Sequence, residues 1–299
     1  MELAPIILFT YKRLDTLRQT IKALADNTLA ADSLLYIYSD GGGNPGDQQK
    51  ITELRSYLRT IAGFKEVIIR ESPINKGLAK SIITGVTEVI AQHGTAIVLE
   101  DDLLTSKNFL EFMNKSLHFY RDDNRILSIS GFSFPMRRYA EYGYDVYFTM
   151  RASSWGWATW SNRWQNIDWQ VSDFADFAKD RQQQRAFNRM GSDLTHMLTR
   201  QMNNKINSWA IRFVYHQFRQ NMYTVFPLVS KIKNIGWDNN ATNTSQRFNR
   251  FDTTLDSENK NTFRFKPDPD LNPVLVNQFK RPFGLFQRGL YKILNSFSK

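Results

Sequence analysis

The chain has 299 residues, 41% of them hydrophobic and 14% aromatic, with a formal net charge of +10 and no cysteine. Disulfide frameworks and thiolate metal sites are thereby excluded, and no apolar run approaches the roughly 18 residues that a membrane-spanning helix needs. The charge favours phosphate-bearing substrates or anionic lipid; without zinc-finger spacing, a helix-turn-helix signature or an RNP motif, no nucleic-acid partner is expected.

Met1-Glu2-Leu3-Ala4-Pro5 leads straight into Ile6-Ile7-Leu8-Phe9. An acidic start and so short an apolar run do not make a secretory signal. A cytoplasmic protein is expected, with peripheral attachment to the inner face of the membrane left open. Ile6–Phe9 reads as a buried strand, and Leu14, Leu17, Ile21 and Leu24 follow at helical spacing. Leu34–Tyr38 is a second strand, ended by Asp40-Gly41-Gly42-Gly43. Ile51, Leu54, Leu58 and Ile61 mark a second helix, and Val67–Ile69 a third strand. Leu78, Ile82, Val86 and Ile90 mark a third helix. Ala96–Leu99 is a fourth strand, closed by Glu100-Asp101-Asp102. Phe109, Phe112 and Leu117 predict another helix, and Ile126–Ile129 a fifth strand.

This alternation predicts an α/β fold: a Rossmann-like, mostly parallel sheet flanked by helices. Ligands then bind at the carboxyl ends of the strands. The alternation fails after about residue 131, where Tyr139, Tyr142, Tyr144, Tyr147 and Phe148 precede Trp155, Trp157, Trp160, Trp164 and Trp169. A helical stretch from Phe174 to Asn203 and another from Trp209 are expected. Asp238–Asn261, rich in Asn, Thr and Ser, reads as loop. Residues 1–130 thus form one half of a domain, 131–240 its second half, and 241–299 a loop and a C-terminal helical appendage. After Asp270 no acidic residue occurs, while Lys280, Arg281, Arg288, Lys292 and Lys299 flank Phe283, Phe286, Leu290, Ile293, Leu294 and Phe297. A basic amphipathic helix is predicted there, either on an anionic membrane surface or packed on the domain.

Four segments at strand ends carry the chemistry. Glu100, Asp101 and Asp102 repel one another unless a cation or hydrogen-bond donors compensate. Hard oxygen ligands suit Mg²⁺ or Mn²⁺ bridging a carboxylate and a diphosphate. A solvated acidic turn before a helix is the plainer alternative. Ser39-Asp40-Gly41 lets backbone approach a ligand and offers a carboxylate to a base or ribose, or is simply a tight turn. Thr10-Tyr11-Lys12-Arg13 offers Arg13 to phosphate or base, or is an exposed basic loop. Asn75-Lys76-Gly77 opens a helix, where the N-terminus and Lys76 suit an anion. All four fall on one sheet edge, so they can converge on one diphosphate nucleotide.

These segments resemble a GT-A-fold glycosyltransferase. Glu100-Asp101-Asp102 is similar to that fold's DXD-like metal motif, in the form found in the N-acetylglucosaminyltransferase I family. Thr10–Arg13, Ser39–Gly41 and Asn75–Gly77 resemble the nucleotide-site segments of family 2 transferases. Ser154-Trp155-Gly156-Trp157-Ala158-Thr159-Trp160, Ser208-Trp209-Ala210-Ile211-Arg212 and Asn234-Ile235-Gly236-Trp237-Asp238 resemble bacterial sugar transferases of polysaccharide loci.

The resemblance implies inverting transfer from a nucleotide-sugar donor, UDP-linked by analogy, to a glycan or lipid-linked acceptor, with Mn²⁺ or Mg²⁺. It makes Asp102 the metal ligand, with Glu100 and Asp101 on the ribose or supporting the site. Asp40 reads the base, and Thr10 and Arg13 lie near base or phosphate, with Lys76 beside them. Trp155, Gly156 and Trp157 line the sugar pocket, core packing being the alternative. Asn240-Ala241-Thr242-Asn243-Thr244 lacks the His that related sequences carry, and Ser208 stands where an acid is expected. Asp193 is then the candidate base, or a helix N-cap. A nucleotidyltransferase would share the acidic site but usually opens with glycines that Leu8-Phe9-Thr10-Tyr11 lacks. A non-catalytic carbohydrate-binding protein would use the aromatic middle and leave the nucleotide segments unexplained.

Overall fold

A computed structural model describes residues 2–137, 142–237 and 249–296. Tyr139, the Asn240–Thr244 segment, Phe297 and Lys299 lie outside the described residues.

The first half follows the expected alternation: β1 (Ile6–Thr10), α1 (Leu14–Ala25), β2 (Leu34–Ser39), α2 (Gln48–Leu58), β3 (Glu66–Glu71), α3 (Leu78–His93), β4 (Thr95–Glu100), β5 (Leu103–Thr105), α4 (Phe109–Phe119) and β6 (Ile126–Ser130). The second half adds β7 (Val146–Thr149), β8 (Trp157–Trp160), α5 (Ser161–Trp164), α6 (Phe174–Phe177), α7 (Arg181–Phe187), α8 (Leu194–Met202), α9 (Trp209–Arg219), β9 (Tyr223–Pro227), β10 (Ile232–Asn234), α10 (Pro273–Lys280) and α11 (Leu285–Ser296).

Eight strands form one sheet in the order β3-β2-β1-β4-β8-β6-β9-β7. The four strands from β3 to β4 are mutually parallel, and β8 and β7 run against their neighbours. The central strands β1, β4, β8 and β6 are buried on both faces, as expected of strands that carry no polar face. Along β1, Ile6 and Leu8 join a core with Leu17 and Leu24 of α1, Leu54 of α2 and Phe109 of α4. Ile7 and Phe9 point the other way, into a core with Ile82 and Val86 of α3 and Trp209 and Phe213 of α9. Strand periodicity of two produces this division. Helices therefore cover both faces and leave the strand ends open.

The stretch from Phe174 to Asn203 is not one helix. It breaks into α6, α7, a 3-10 turn at Asn188–Met190, and α8. Asp180 starts a new helix by accepting from the Gln182 and Gln183 amides at 2.8 and 3.0 Å, which competes with helix continuation. Gly191, at φ +158°, ends the 3-10 turn. The helix expected from Trp209 does begin there, with the Ser208 hydroxyl accepting from the Ile211 amide at 3.3 Å. Within the expected loop, residues 249–261 form no helix or strand, and 238–248 lie outside the described residues.

Candidate active site

A cleft of about 700 Å³ opens at the carboxyl ends of β1, β2 and β4. Parallel pairing brings Phe9 beside both Tyr38 and Glu100, and Thr10 beside Ser39. Segments far apart in sequence thus meet at one edge. Thr10, Arg13, Asp40, Glu100, Asp101, Asp102 and Trp155 all line the cleft.

Thr10 Oγ1 donates to Asp101 Oδ2 at 2.7 Å, and the Tyr11 amide donates to the same oxygen at 3.2 Å. Arg13 Nη1 donates to Asp102 Oδ2 at 3.0 Å. Asn234 Nδ2 faces Asp102 Oδ1 at 3.3 Å, and the Ile235 amide donates to the Asp102 carbonyl at 2.9 Å. The antiparallel pairing of β10 with β5 delivers this second arm. Close approach of Gly236 to Asp102 and Arg13 leaves no room for a Cβ.

Crowding sets the charge state of the acidic edge. Burial, with Asp102 and Asp101 as neighbours, pushes the Glu100 carboxyl well above its ordinary value. Burial and the Asp102 charge push Asp101 up to about 6, against the opposing hydrogen bonds of Thr10 and Tyr11. A divalent cation would relieve such an excess of negative charge, and the oxygens are of the hard type that Mg²⁺ and Mn²⁺ take. Among the described residues, no three His, Cys, Asp or Glu side chains are gathered as a ready-made metal cage. One or two carboxylates with substrate phosphates is nevertheless the usual arrangement for Mg²⁺.

Asp40 accepts three backbone amides: Gly41 and Lys76 on Oδ1 at 3.0 and 2.9 Å, and Gly77 on Oδ2 at 2.9 Å. It ties the end of β2 to the start of α3. Arg55 reinforces this joint, donating to the carbonyls of Ser39, Asp40 and Ser72 at 3.3, 3.2 and 2.7 Å. The Lys76 side chain lies off the cleft, in a neighbouring pocket with Arg70 and Glu71. Gly77, Leu78 and Ser81 at the start of α3 do line the cleft.

Two of the residues expected at the sugar pocket are elsewhere. Trp157 is 1% exposed and stacks on Trp164 and Trp209 with centroids at 5.6 and 4.9 Å. It sits on β8, which is buried on both faces, so core packing is its role. Gly156, at φ +57°, lies so close to the Ile232 side chain that a Cβ would overlap it; it is a packing position rather than a sugar contact. Trp155 remains at the cleft, edge-on to Trp237 at 5.8 Å. Trp160 and Trp164 are buried.

Asp193 is not brought to the cleft. It is 7% exposed and held by Arg151 through bonds of 2.8 and 2.9 Å, one to each oxygen. Burial alone would push its carboxyl up, but the hydrogen bonds and charge of Arg151 outweigh burial and hold it below the usual carboxylate range. It occupies the N-cap position of α8, yet its side chain makes no capping bond. Such a carboxylate is a poor proton acceptor.

Several cleft residues escaped the sequence reading. Asp47 takes hydrogen bonds from Tyr11 Oη at 2.6 Å and Lys12 Nζ at 2.8 Å, and Lys12, then Tyr11, hold its carboxyl below the ordinary value. Asn207, in the loop before α9, also lines the cleft. Neither stands in a pattern that marks it. Asn234 and Trp237 lay in a segment noted only for resemblance.

The sequence model described as "Glycosyl transferase family 2" matches residues 6–175, more than half of the chain. No curated protein matches. Among solved structures, residues 1–349 of TarS from S. aureus align over 76% of this chain and 60% of that one, at 9% identity and a TM-score of 0.39. The same fragment in complex with UDP-GlcNAc aligns over 48% of this chain and 36% of that one, at 12% identity and a TM-score of 0.32. A mannosyltransferase from Pyrobaculum calidifontis in complex with GDP-Man and Mn²⁺ aligns over 45% and 37%, at 12% identity and a TM-score of 0.33. This chain spans less than two thirds of the length of each.

Proposed function

The chain belongs to glycosyl transferase family 2, and on that premise we propose that it moves a sugar from a nucleoside diphosphate donor, UDP-linked, to a hydroxyl of a glycan or lipid-linked glycan. The observation carrying this reading is the convergence of Arg13, Asp101, Asp102 and the N-terminus of α3 on one cleft. A helix N-terminus and a guanidinium suit the diphosphate. The carboxylates suit a divalent cation shared with it.

We propose transfer with inversion. The acceptor oxygen attacks the anomeric carbon from the face opposite the diphosphate. The new C–O bond forms as the bond to the diphosphate breaks. Asp102, supported by Glu100 and Asp101, would hold Mn²⁺ or Mg²⁺, which when bound neutralises charge on the leaving diphosphate. Arg13 adds a second positive charge from its place beside Asp102. Trp155 offers a flat apolar face to the sugar. Asp193 is not proposed as the base, because Arg151 engages both its oxygens. Of the described cleft lining, Asp40 is engaged by backbone amides and Asp47 by Tyr11 and Lys12, while Trp155, Asn207, Asn234, Gly236 and Trp237 carry no base at neutral pH. The acceptor's proton is therefore proposed to leave to water or to an oxygen of the departing diphosphate.

Thermal unfolding with UDP, GDP and their sugar conjugates, with and without Mn²⁺, tests the reading. A ligand that binds only the native state raises the transition temperature with concentration. A metal-dependent rise with one nucleotide, absent in Asp102→Asn, is expected. No rise with any nucleoside diphosphate would sink the proposal.

A further inference from the structure

The C-terminal helix turns its apolar stripe the wrong way for a packed helix. Within α11, Leu285, Phe286, Leu290 and Ile293 are 75%, 78%, 38% and 56% exposed. Phe286, Leu290 and Ile293 follow at spacings of four and three, so they form one face. No residue of α11 is fully buried, although α10 just before it buries Leu275, Val276 and Phe279. The more polar side of α11 meets the domain, where Arg288 Nη1 donates to Ser192 Oγ at 2.8 Å. Large apolar side chains gathered outward on a short helix mark an interaction surface.

Charge decides what covers it. After Asp270 the chain has no acidic residue, and Lys280, Arg281 and Lys292 accompany the stripe. Lys292 and Arg281 are exposed, as the stripe is. A second copy docked through this face would bring these cations together. A helix of 12 residues, about 18 Å long, also presents far less than the ~800 Å² per partner of a stable dimer. Anionic lipid meets both requirements, with acyl chains for Phe286 and Leu290 and headgroups for the cations.

We propose that α11 is an interfacial membrane-docking helix that sets its outward stripe into an anionic lipid surface. Its position couples it to the cleft. The turn before it carries Phe283, which packs on Phe251 at 5.7 Å; Phe251 packs on Trp155 and Trp237 at 5.9 and 6.1 Å. A docked helix therefore places the cleft rim near the membrane, where a lipid-carried acceptor would lie. The docking itself does not rest on the proposed activity.

Flotation of the full chain with phosphatidylcholine vesicles, with and without phosphatidylglycerol, tests this. Binding is expected to the anionic vesicles alone, and to weaken with salt. Phe286→Ser with Leu290→Ser should lower the bound fraction at least about tenfold, and Lys292→Glu should lower it with the stripe intact. Unaltered thermal unfolding of the exposed-face variants separates lost docking from lost folding. Wild-type protein that stays with the unbound fraction, or a double variant that floats equally well, overturns the proposal. So does a wild-type dimer that the double variant dissolves, which would assign the face to self-association. Nucleotide-induced thermal shifts are read separately, so failure here leaves the cleft's reading standing, and the reverse holds.

Discussion

Arg13 Nη1 lies 3.0 Å from Asp102 Oδ2, so the carboxylate proposed to hold a divalent cation already faces a guanidinium. The two side chains are mostly buried and reach each other from strand ends 89 residues apart. In the proposed donor complex Arg13 would be shared between this carboxylate and the diphosphate. Asp102→Asn keeps the volume and removes the charge. It should lower transfer by about 100-fold or more while shifting unfolding free energy by less than ~2 kcal/mol. Steady-state rates at saturating metal and urea titrations of the same preparation read the two effects.

Asp40 was expected to read the base, and its three backbone bonds give it a prior structural task. Removing the carboxylate strands the amides of Gly41, Lys76 and Gly77 at a partly buried joint. Asp40→Ala should therefore destabilise by about 3 kcal/mol. Asp40→Asn should recover only part, since its amide presents one oxygen and opposes N–H with N–H. A base contact alone predicts weaker nucleotide binding at unchanged stability, and denaturation measured beside nucleotide titration distinguishes the two.

The parts of the site that were legible in sequence are those that a strand end announces. Thr10–Arg13, Asp40 and Glu100–Asp102 each follow an apolar run, and parallel pairing must place such ends together. The arm over Asp102 was not legible. It depends on β5 and β10, strands of three residues each, too short for any periodicity. Strands β7, β8 and β9 were also hidden. β8 is buried on both faces and reads as an aromatic cluster, with Trp157 and Trp160 entering opposite cores. Asp193 looked available because sequence shows a carboxylate before a helix but not the Arg151 that claims it.

Acid sensitivity should follow from Asp193 and Asp256. Burial works against ionisation in both, but Arg151 holds Asp193 below the ordinary value, and Lys231, with Asn108, does so for Asp256. A depressed folded-state value contributes stability above the unfolded carboxyl value of about 3.9, and that stability is lost as pH falls through the folded value. Wild-type stability should thus hold near neutrality and fall only in strong acid. Arg151→Met leaves Asp193 buried without its cation, which raises its proton affinity. The acid transition should then begin at a higher pH, and urea midpoints measured from pH 7 downward would reveal it. An unchanged profile would mean that Arg151 does not set the carboxylate's charge.

Trp155 and Trp157 are two residues apart and should respond in opposite ways. Trp155 lines the cleft, and its ring meets Trp237 edge-on. Trp157 is enclosed by Trp164, Trp209 and Phe213. Trp157→Ala removes a ring from the centre of that cluster and should cost about 3–5 kcal/mol of stability. Trp155→Ala loses less packing, because its ring is only partly buried, but it removes a flat apolar face from the proposed sugar site. It should raise the KM for donor or acceptor by about tenfold with a smaller loss of stability than Trp157→Ala. Paired urea denaturation and saturation kinetics test both at once. If Trp155→Ala left KM unchanged and only lowered stability, the aromatic rim would be packing alone, and sugar recognition would have to come from the polar lining of Asn207 and Asn234.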